Sequence, residues 1–236
     1  MSNQSKSILF AAILCFVCSA ILTTASTGLK RFQEQNMRID RHRNILMSVG
    51  LVKADRRYST DEIESMYTEF IKPLWVDSDG QLIEAPQGGE NNLPLYIYQK
   101  ENQIEGYIVP INSRGLWGRI RGYLAIGNDG NTISGFTVYK HSETPGLGGE
   151  IEKAWFQKNW VGKKIVDRSG EFVSVSIAKG AIQDMIPPQK QSNYVDGISG
   201  ATLTGKYLTA GLKDVLEDYE PVSIRFRKNL IAEPPE

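Results

Sequence analysis

The chain opens on an apolar run. From Ser7 to Leu29 no residue is charged. At about 1.5 Å of rise per residue this run makes roughly 34 Å of helix, enough to cross the hydrocarbon core of a bilayer. It predicts a retained membrane helix over 7–29 behind a short tail, 1–6. The alternative is a cleaved export signal, with Ala20, Ala25 and Ser26 supplying small residues near a cut. Residues 30–57 read as a polar, helix-compatible stalk in which Ile39, Ile45, Leu46 and Val49 are sparse apolar positions. At Ser59 the pattern changes. Ser59 and Glu62 make a capping box, and Ile63, Met66, Tyr67 and Phe70 share one helical face until Pro73 stops the helix.

Residues 77–93 are rich in Asp, Gly, Gln and Asn and read as a loop. Beyond them the period shortens to two. Leu95 to Tyr98 and Gly106 to Val109 flank a polar turn, and Gly118 to Ile126 and Thr132 to Tyr139 flank Asn128, Asp129 and Gly130. Both pairs predict antiparallel hairpins. Glu150 to Trp160 predicts a short helix with Ile151, Ala154 and Trp155 on one side. Lys164–Val166 and Phe172–Ile177 predict short strands. Leu203, Tyr207, Leu208, Leu212, Val215 and Leu216 recur at helical spacing and predict a helix from Thr202 to Tyr219. Val222 to Phe226 predicts a last strand, and the tail 233–236 is read as frayed. Strands paired in hairpins with helices between and after them predict an α+β domain over 58–236, a mainly antiparallel sheet with flanking helices. The alternative is a mainly-β barrel with helical decoration.

Composition sharpens this. Lys+Arg and Asp+Glu both number 27, so net charge is zero, and with no basic face or zinc-finger spacing nucleic acid is excluded as a partner. Both cysteines, Cys15 and Cys18, fall inside the apolar run. The rest of the chain therefore offers neither a disulfide nor a thiolate metal site. With only His42 and His141 besides, no metal site is expected. The charges flanking the run point one way: Lys6 precedes it, and Lys30, Arg31, Arg38, Arg41 and Arg43 follow. Counted alone, they put the C-terminal domain in the cytoplasm.

Three segments carry chemistry. In Asp196-Gly197-Ile198-Ser199-Gly200-Ala201-Thr202 small residues run up to a hydroxyl at a helix start, where free N–H groups and the positive end of the helix dipole suit an anion. The plain reading is a capped helix after a glycine-rich turn. In His141-Ser142-Glu143-Thr144-Pro145-Gly146-Leu147-Gly148 turn chemistry and glycines follow a strand directly. That is either a strand-to-helix loop or a backbone able to hug a ligand. Gly115-Leu116-Trp117-Gly118 places an indole between glycines, as a core tryptophan or as a wall for a flat ring.

These three motifs, taken in chain order behind a membrane anchor, resemble one family of bacterial FMN-bearing electron-transfer proteins. It comprises the C subunits of the Na⁺-translocating NADH:quinone oxidoreductases, with the G subunit of the Rnf ferredoxin:NAD⁺ oxidoreductases as its relative. The resemblance covers nearly the whole chain and is clearest over 110–216. It implies a single FMN-binding domain with Thr202 as the acceptor of FMN through a phosphoester bond made by a flavin transferase from FAD. It implies that Asp196 belongs to the transferase recognition motif, that Ser199, Gly200 and Ala201 form the phosphate loop, and that Trp117, Glu143, Thr144 and Leu147 lie near the flavin. It implies partners in a membrane respiratory complex of the bacterial inner membrane, with the soluble domain in the periplasm. On that point it opposes the charge count. No catalytic residue is assigned, because the flavin does the redox chemistry.

Two rivals remain. Gly197 to Ala201 resembles a nucleophile elbow, but Ala201 stands where that motif needs glycine, and His141 precedes the serine, against the hydrolase order. An anchored binding domain without redox function is the second. Without a P-loop or a G-x-G-x-x-G after a strand, NADH is expected to bind elsewhere.

Overall fold

The computed structural model describes residues 3–86 and 92–231. The tail read as frayed lies outside them. The chain divides into a unit 1–40 and a compact unit 41–236. The described residues of the first are all helix, part of α1 (Asn3–Ser48). Its apolar side chains, Ile8, Phe10, Phe16 and Leu22 among them, are exposed all round. An 18-residue window in α1 has a mean hydropathy of 2.5, so α1 is one helix long and apolar enough to cross a membrane. Cys15 and Cys18 are exposed on it.

In the second unit the last turns of α1 are already part of the core: Ile45 and Leu46 are buried, and the Thr137 hydroxyl donates to the Asn44 carbonyl. Much of the segment read as stalk thus folds with the domain. Helix α2 (Thr60–Phe70) starts on the expected capping box, Ser59 accepting from the Glu62 N–H while Glu62 accepts from Ser59.

A six-stranded antiparallel sheet follows, in the order β2-β1-β3-β4-β5-β6. Its strands are β1 (Ile71–Val76), β2 (Leu82–Ile83), β3 (Leu93–Lys100), β4 (Gln103–Arg114), β5 (Arg119–Gly127) and β6 (Ile133–Lys140). Both expected hairpins are present, and the sheet is open, not a barrel. Strand β1 was not foreseen, because Pro73 read as a stop. β2 pairs only with Trp75 and Val76, so Pro73 lies where β1 is an edge, the place a strand tolerates a residue without an N–H.

One face of the sheet meets α2 and the end of α1. The other carries the main core, in which Tyr107, Val109, Ile111, Leu124, Ile126 and Phe136 meet the buried residues of the later segments. There the expected helix 150–160 is broken into a 3-10 turn, Gly148–Glu152, and α3 (Ala154–Lys158). Its buried side is Ile151, Phe156 and Trp160, not Trp155, which is 45% exposed. The strands expected at 164–177 shrink to single bridges, Thr132 with Lys164 and Val166 with Phe172, and to β7 (Ser176–Ile177). A four-residue helix α4 (Ile182–Met185) leads to β8 (Tyr194–Val195), which pairs in parallel with β7.

Helix α5 (Thr202–Asp218) lies on β4 with Thr204, Leu208, Leu212 and Leu216 buried at a spacing of four. The last predicted strand is wrong: 220–227 is helix α6 (Glu220–Arg227). Val222, Ser223 and Phe226 are its buried residues, and Ile224, which completed the apparent alternation, is 36% exposed. Pro221 in the first turn and Arg225 and Arg227 in the last are helix signals. Tyr107 fixes α6 to the sheet by stacking on Phe226, ring centroids 4.5 Å apart, and by a 2.6 Å hydrogen bond with Ser223. Burial pushes the Tyr107 phenol up, so it stays protonated.

Candidate functional site

Three segments far apart in sequence meet at the start of α5. The β4–β5 turn is closed by a 2.7 Å bond from the Gly115 N–H to the Gly118 carbonyl. It turns Trp117 outward, 69% exposed. The loop after β6 brings Glu143, Thr144, Leu147 and Gly148. The motif 196–204 brings Gly200, Ala201, Thr202, Leu203 and Thr204. Together with Leu116 and Trp117 they line a cleft of about 200 Å³.

Thr202 is the first residue of α5 and is exposed. No side chain caps the helix: Ala201 is the N-cap and makes no side-chain bond. The first N–H groups of α5 therefore keep free hydrogen-bonding capacity at the positive end of its dipole. Gly200 precedes them at φ +73, and a Cβ there would come within 2.7 Å of Leu147 Cδ2. A side chain at 200 would be strained and would crowd the cleft.

Glu143 organises the site. It is 4% exposed. One carboxylate oxygen accepts from the Trp117 N–H at 3.1 Å and the other from the Thr204 hydroxyl at 2.5 Å. Gly115 and Gly148 press on the two oxygens so closely that a Cβ would lie 2.5 Å from Oε1 or 2.8 Å from Oε2. One side chain thus ties together the tryptophan turn, its own loop and the first turn of α5. Its backbone N–H donates to His141 Nδ1 at 3.1 Å, and His141 Nε2 meets Glu152 at 3.0 Å. This places the imidazole proton on Nε2. Lys153 first and then His141 hold the Glu152 carboxyl below the usual range.

Of the residues singled out in the sequence, the cleft gathers Thr202, Gly200, Ala201, Trp117, Glu143, Thr144 and Leu147. Ser199 is exposed beside it and does not line it. Asp196 lies apart: its carboxylate accepts from the Ile182 N–H at 2.7 Å, beside a 2.9 Å bond from the Gly197 N–H to the Gly180 carbonyl. It pins the motif loop to the start of α4. Leu116 and Gly148 were named only within their motifs, and Leu203 and Thr204 were missed. For Thr204 a signal existed, since it stands four residues before Leu208 on the buried stripe.

Residues 115–217 match the family model described as FMN-binding domain. The chain is 33% identical over 229 residues, 84% of its length and 83% of the other's, to the C subunit of the Na(+)-translocating NADH-quinone reductase of Yersinia pestis. The crystal structure of the C subunit of the Na(+)-translocating NADH-quinone reductase from Parabacteroides distasonis superposes with a TM-score of 0.69 at 33% identity, over 83% of this chain and 96% of that one. The Shewanella oneidensis NqrC structure shares the fold, with a TM-score of 0.65 at 21% identity over 83% of this chain and 99% of that one.

Proposed function

We propose, for a chain that belongs to the family of Na(+)-translocating NADH-quinone reductase C subunits, that it carries FMN covalently on Thr202 and relays electrons inside that membrane complex. Family and domain make it a flavoprotein whose oxidoreductase activity belongs to the assembly. The rest is our reading, and one observation carries it: an exposed threonine hydroxyl at an uncapped helix N-terminus, facing a cleft. The matches to quinone-reductase proteins favour that complex over the Rnf type.

The residues fit the group. The backbone N–H groups at the start of α5 and the space above Gly200 and Ala201 would hold the phosphate. Trp117, Leu147 and Leu203, all substantially exposed, offer apolar surface to a flat ring. Attachment uses the Thr202 oxygen: it forms the new bond to the flavin-side phosphorus of FAD, the diphosphate bond breaks, AMP leaves and the hydroxyl proton passes to the transferase. When bound, FMN supplies the redox chemistry; the chain supplies position and electrostatics. Glu143 commits both oxygens to protein donors, so its part is to hold the cleft's walls together and not to bind the phosphate.

Asp196 acts on the transferase through loop shape. Asp196→Ala should lower the flavinylated fraction by releasing the Ile182 N–H, whereas Asp196→Asn, which keeps an acceptor oxygen, should retain most of it. Intact mass after co-expression with the transferase reads the fraction. Equal losses in both variants would show that the enzyme reads the charge instead.

Helix α1 we read as a retained single-pass anchor in the bilayer of the bacterial inner membrane. We place the domain in the periplasm, overriding the charge count, because long translocated domains cross largely regardless of flanking charge. An alkaline phosphatase fused after Glu236 should be active and a fluorescent protein that matures only in the cytoplasm dark. The reverse pattern would put the domain in the cytoplasm.

A further inference from the structure

A second concavity lies in the 165–195 region and shares no residue with the Thr202 cleft. Its volume is about 410 Å³, and Asp167, Arg168, Val173, Ser174, Lys190 and Tyr194 are among its walls. That is within the usual range for small-molecule sites.

Ser174 marks it as a built site. The residue is 2% exposed, and its hydroxyl is buried with no hydrogen-bond partner among the described residues. Buried polar atoms are rarely left so. Its backbone sits at φ +64, a conformation costly for a residue with a Cβ. The neighbouring turn holds it there: the Val173 and Ser174 N–H groups both donate to the Ile165 carbonyl at 2.9 Å. The fold keeps a strained serine and an unsatisfied hydroxyl at the wall of a cavity.

The two rim cations give the ligand its sign, against the single carboxylate of Asp167. Two acceptor oxygens, Asp167 Oδ1 and Asn193 Oδ1, are engaged, and Ser176 and Gln189 complete the polar lining. Asp167 Oδ1 takes the Ser169 N–H and hydroxyl and the Glu171 N–H, and the Ser169 hydroxyl leads in holding that carboxyl below the usual range. Asn193 donates to the Lys164 and Val166 carbonyls and accepts from Ser192. The donors are not. Arg168 and Lys190 form no ion pair among the described residues, and the Ser174 hydroxyl is unspent. Two cations at the rim, a hydroxyl in the wall, and Val173 and Tyr194 for an apolar body describe a small organic anion. We propose that this cavity binds a small carboxylate- or phosphate-bearing organic molecule, independently of the flavin site.

The test is calorimetric titration of the full chain in detergent with succinate, benzoate, glycerol 3-phosphate and inorganic phosphate, with glycerol as the neutral control. We expect saturable one-to-one binding of at least one organic anion, with a dissociation constant of about 1 mM or tighter. The carboxylate and phosphate arms tell the two headgroups apart. Ser174→Gly and the double variant Arg168→Gln/Lys190→Gln should each weaken binding about tenfold or more, the scale of a lost charge-assisted hydrogen bond. Ser174→Gly should also melt no lower than the wild type, because glycine adopts φ +64 without strain. Unfolding therefore cannot imitate the loss. Binding that survives in both variants, or no saturable binding of any organic anion, overturns the proposal; the second result leaves the cavity to a partner's acidic side chain. Protein lacking flavin serves equally well, so the outcome does not depend on Thr202.

Discussion

Thr202→Ala is expected to give a folded protein that carries no covalent flavin. The hydroxyl is exposed and does not cap its helix. Alanine suits the first helical turn, so the change in stability should stay within about 0.5 kcal/mol. The whole effect should fall on modification. Co-expressed with the transferase, the wild type should gain the mass of the FMN phosphoester and fluoresce in a denaturing gel; Thr202→Ala should do neither, and Thr202→Ser should recover part of both. Thr204, two residues on, is no competing acceptor, because it is 2% exposed and its hydroxyl is committed to Glu143. Thr204→Ala should keep the flavin while losing stability. Covalent fluorescence that persists in Thr202→Ala would refute the assignment of the acceptor.

Glu143 carries the second large effect. Glu143→Ala removes the acceptor of the Trp117 N–H and of the Thr204 hydroxyl together and leaves a void against Gly115 and Gly148. The buried Thr204 hydroxyl left unpaired costs about 1–3 kcal/mol, and the void and the lost bond of the part-buried Trp117 N–H add to it. A loss of about 2–5 kcal/mol in denaturant unfolding, with a matching fall in flavinylation, is therefore expected. Glu143→Gln separates geometry from charge. Its amide oxygen can accept from Trp117 and its NH₂ can donate to the Thr204 oxygen, so it should retain most of both properties. Should Glu143→Ala not fold, Gly148→Ala asks the same question more gently, because its Cβ would push on the Thr204 hydroxyl and Glu143 Oε2. Wild-type stability in Glu143→Ala would show that the carboxylate does not hold the three segments together.

How legible this was depended on the distance over which each signal acts. The capping box at Ser59, both hairpins and the stripe Leu208, Leu212 and Leu216 are local patterns, and they fold as read. Val222 to Phe226 misled because apolar residues two apart also fit a helix when one faces solvent, as Ile224 does. Pro73 misled because its tolerance in β1 depends on how far β2 extends, which no local pattern states. The motif at 196–204 pointed to the cleft, and the family resemblance put Glu143 near it, but its role as the tie between three segments was not legible. Its partners lie 26 and 61 positions away, and only the fold brings them within bonding distance. The 165–195 region was misjudged for a related reason: its irregular backbone is organised by Asn131, Asn193 and single bridges, not by any period.

The two walls of the Thr202 cleft belong to different classes of motion. One is the first turn of α5, which is fastened at Thr204, again where the Ser113 hydroxyl bonds the Tyr207 carbonyl, and along the leucine stripe to Tyr219, whose hydroxyl donates to the Pro94 carbonyl. Such a helix opens only when much of the domain does. The facing wall is two loops, carrying Trp117 and Leu147 at their surface and joined to the helix mainly through Glu143. Loops of that kind fluctuate without global unfolding. Thr202 is therefore exposed on the rigid wall and fixed in register, while the loop wall facing it can shift to admit a ligand without displacing the threonine.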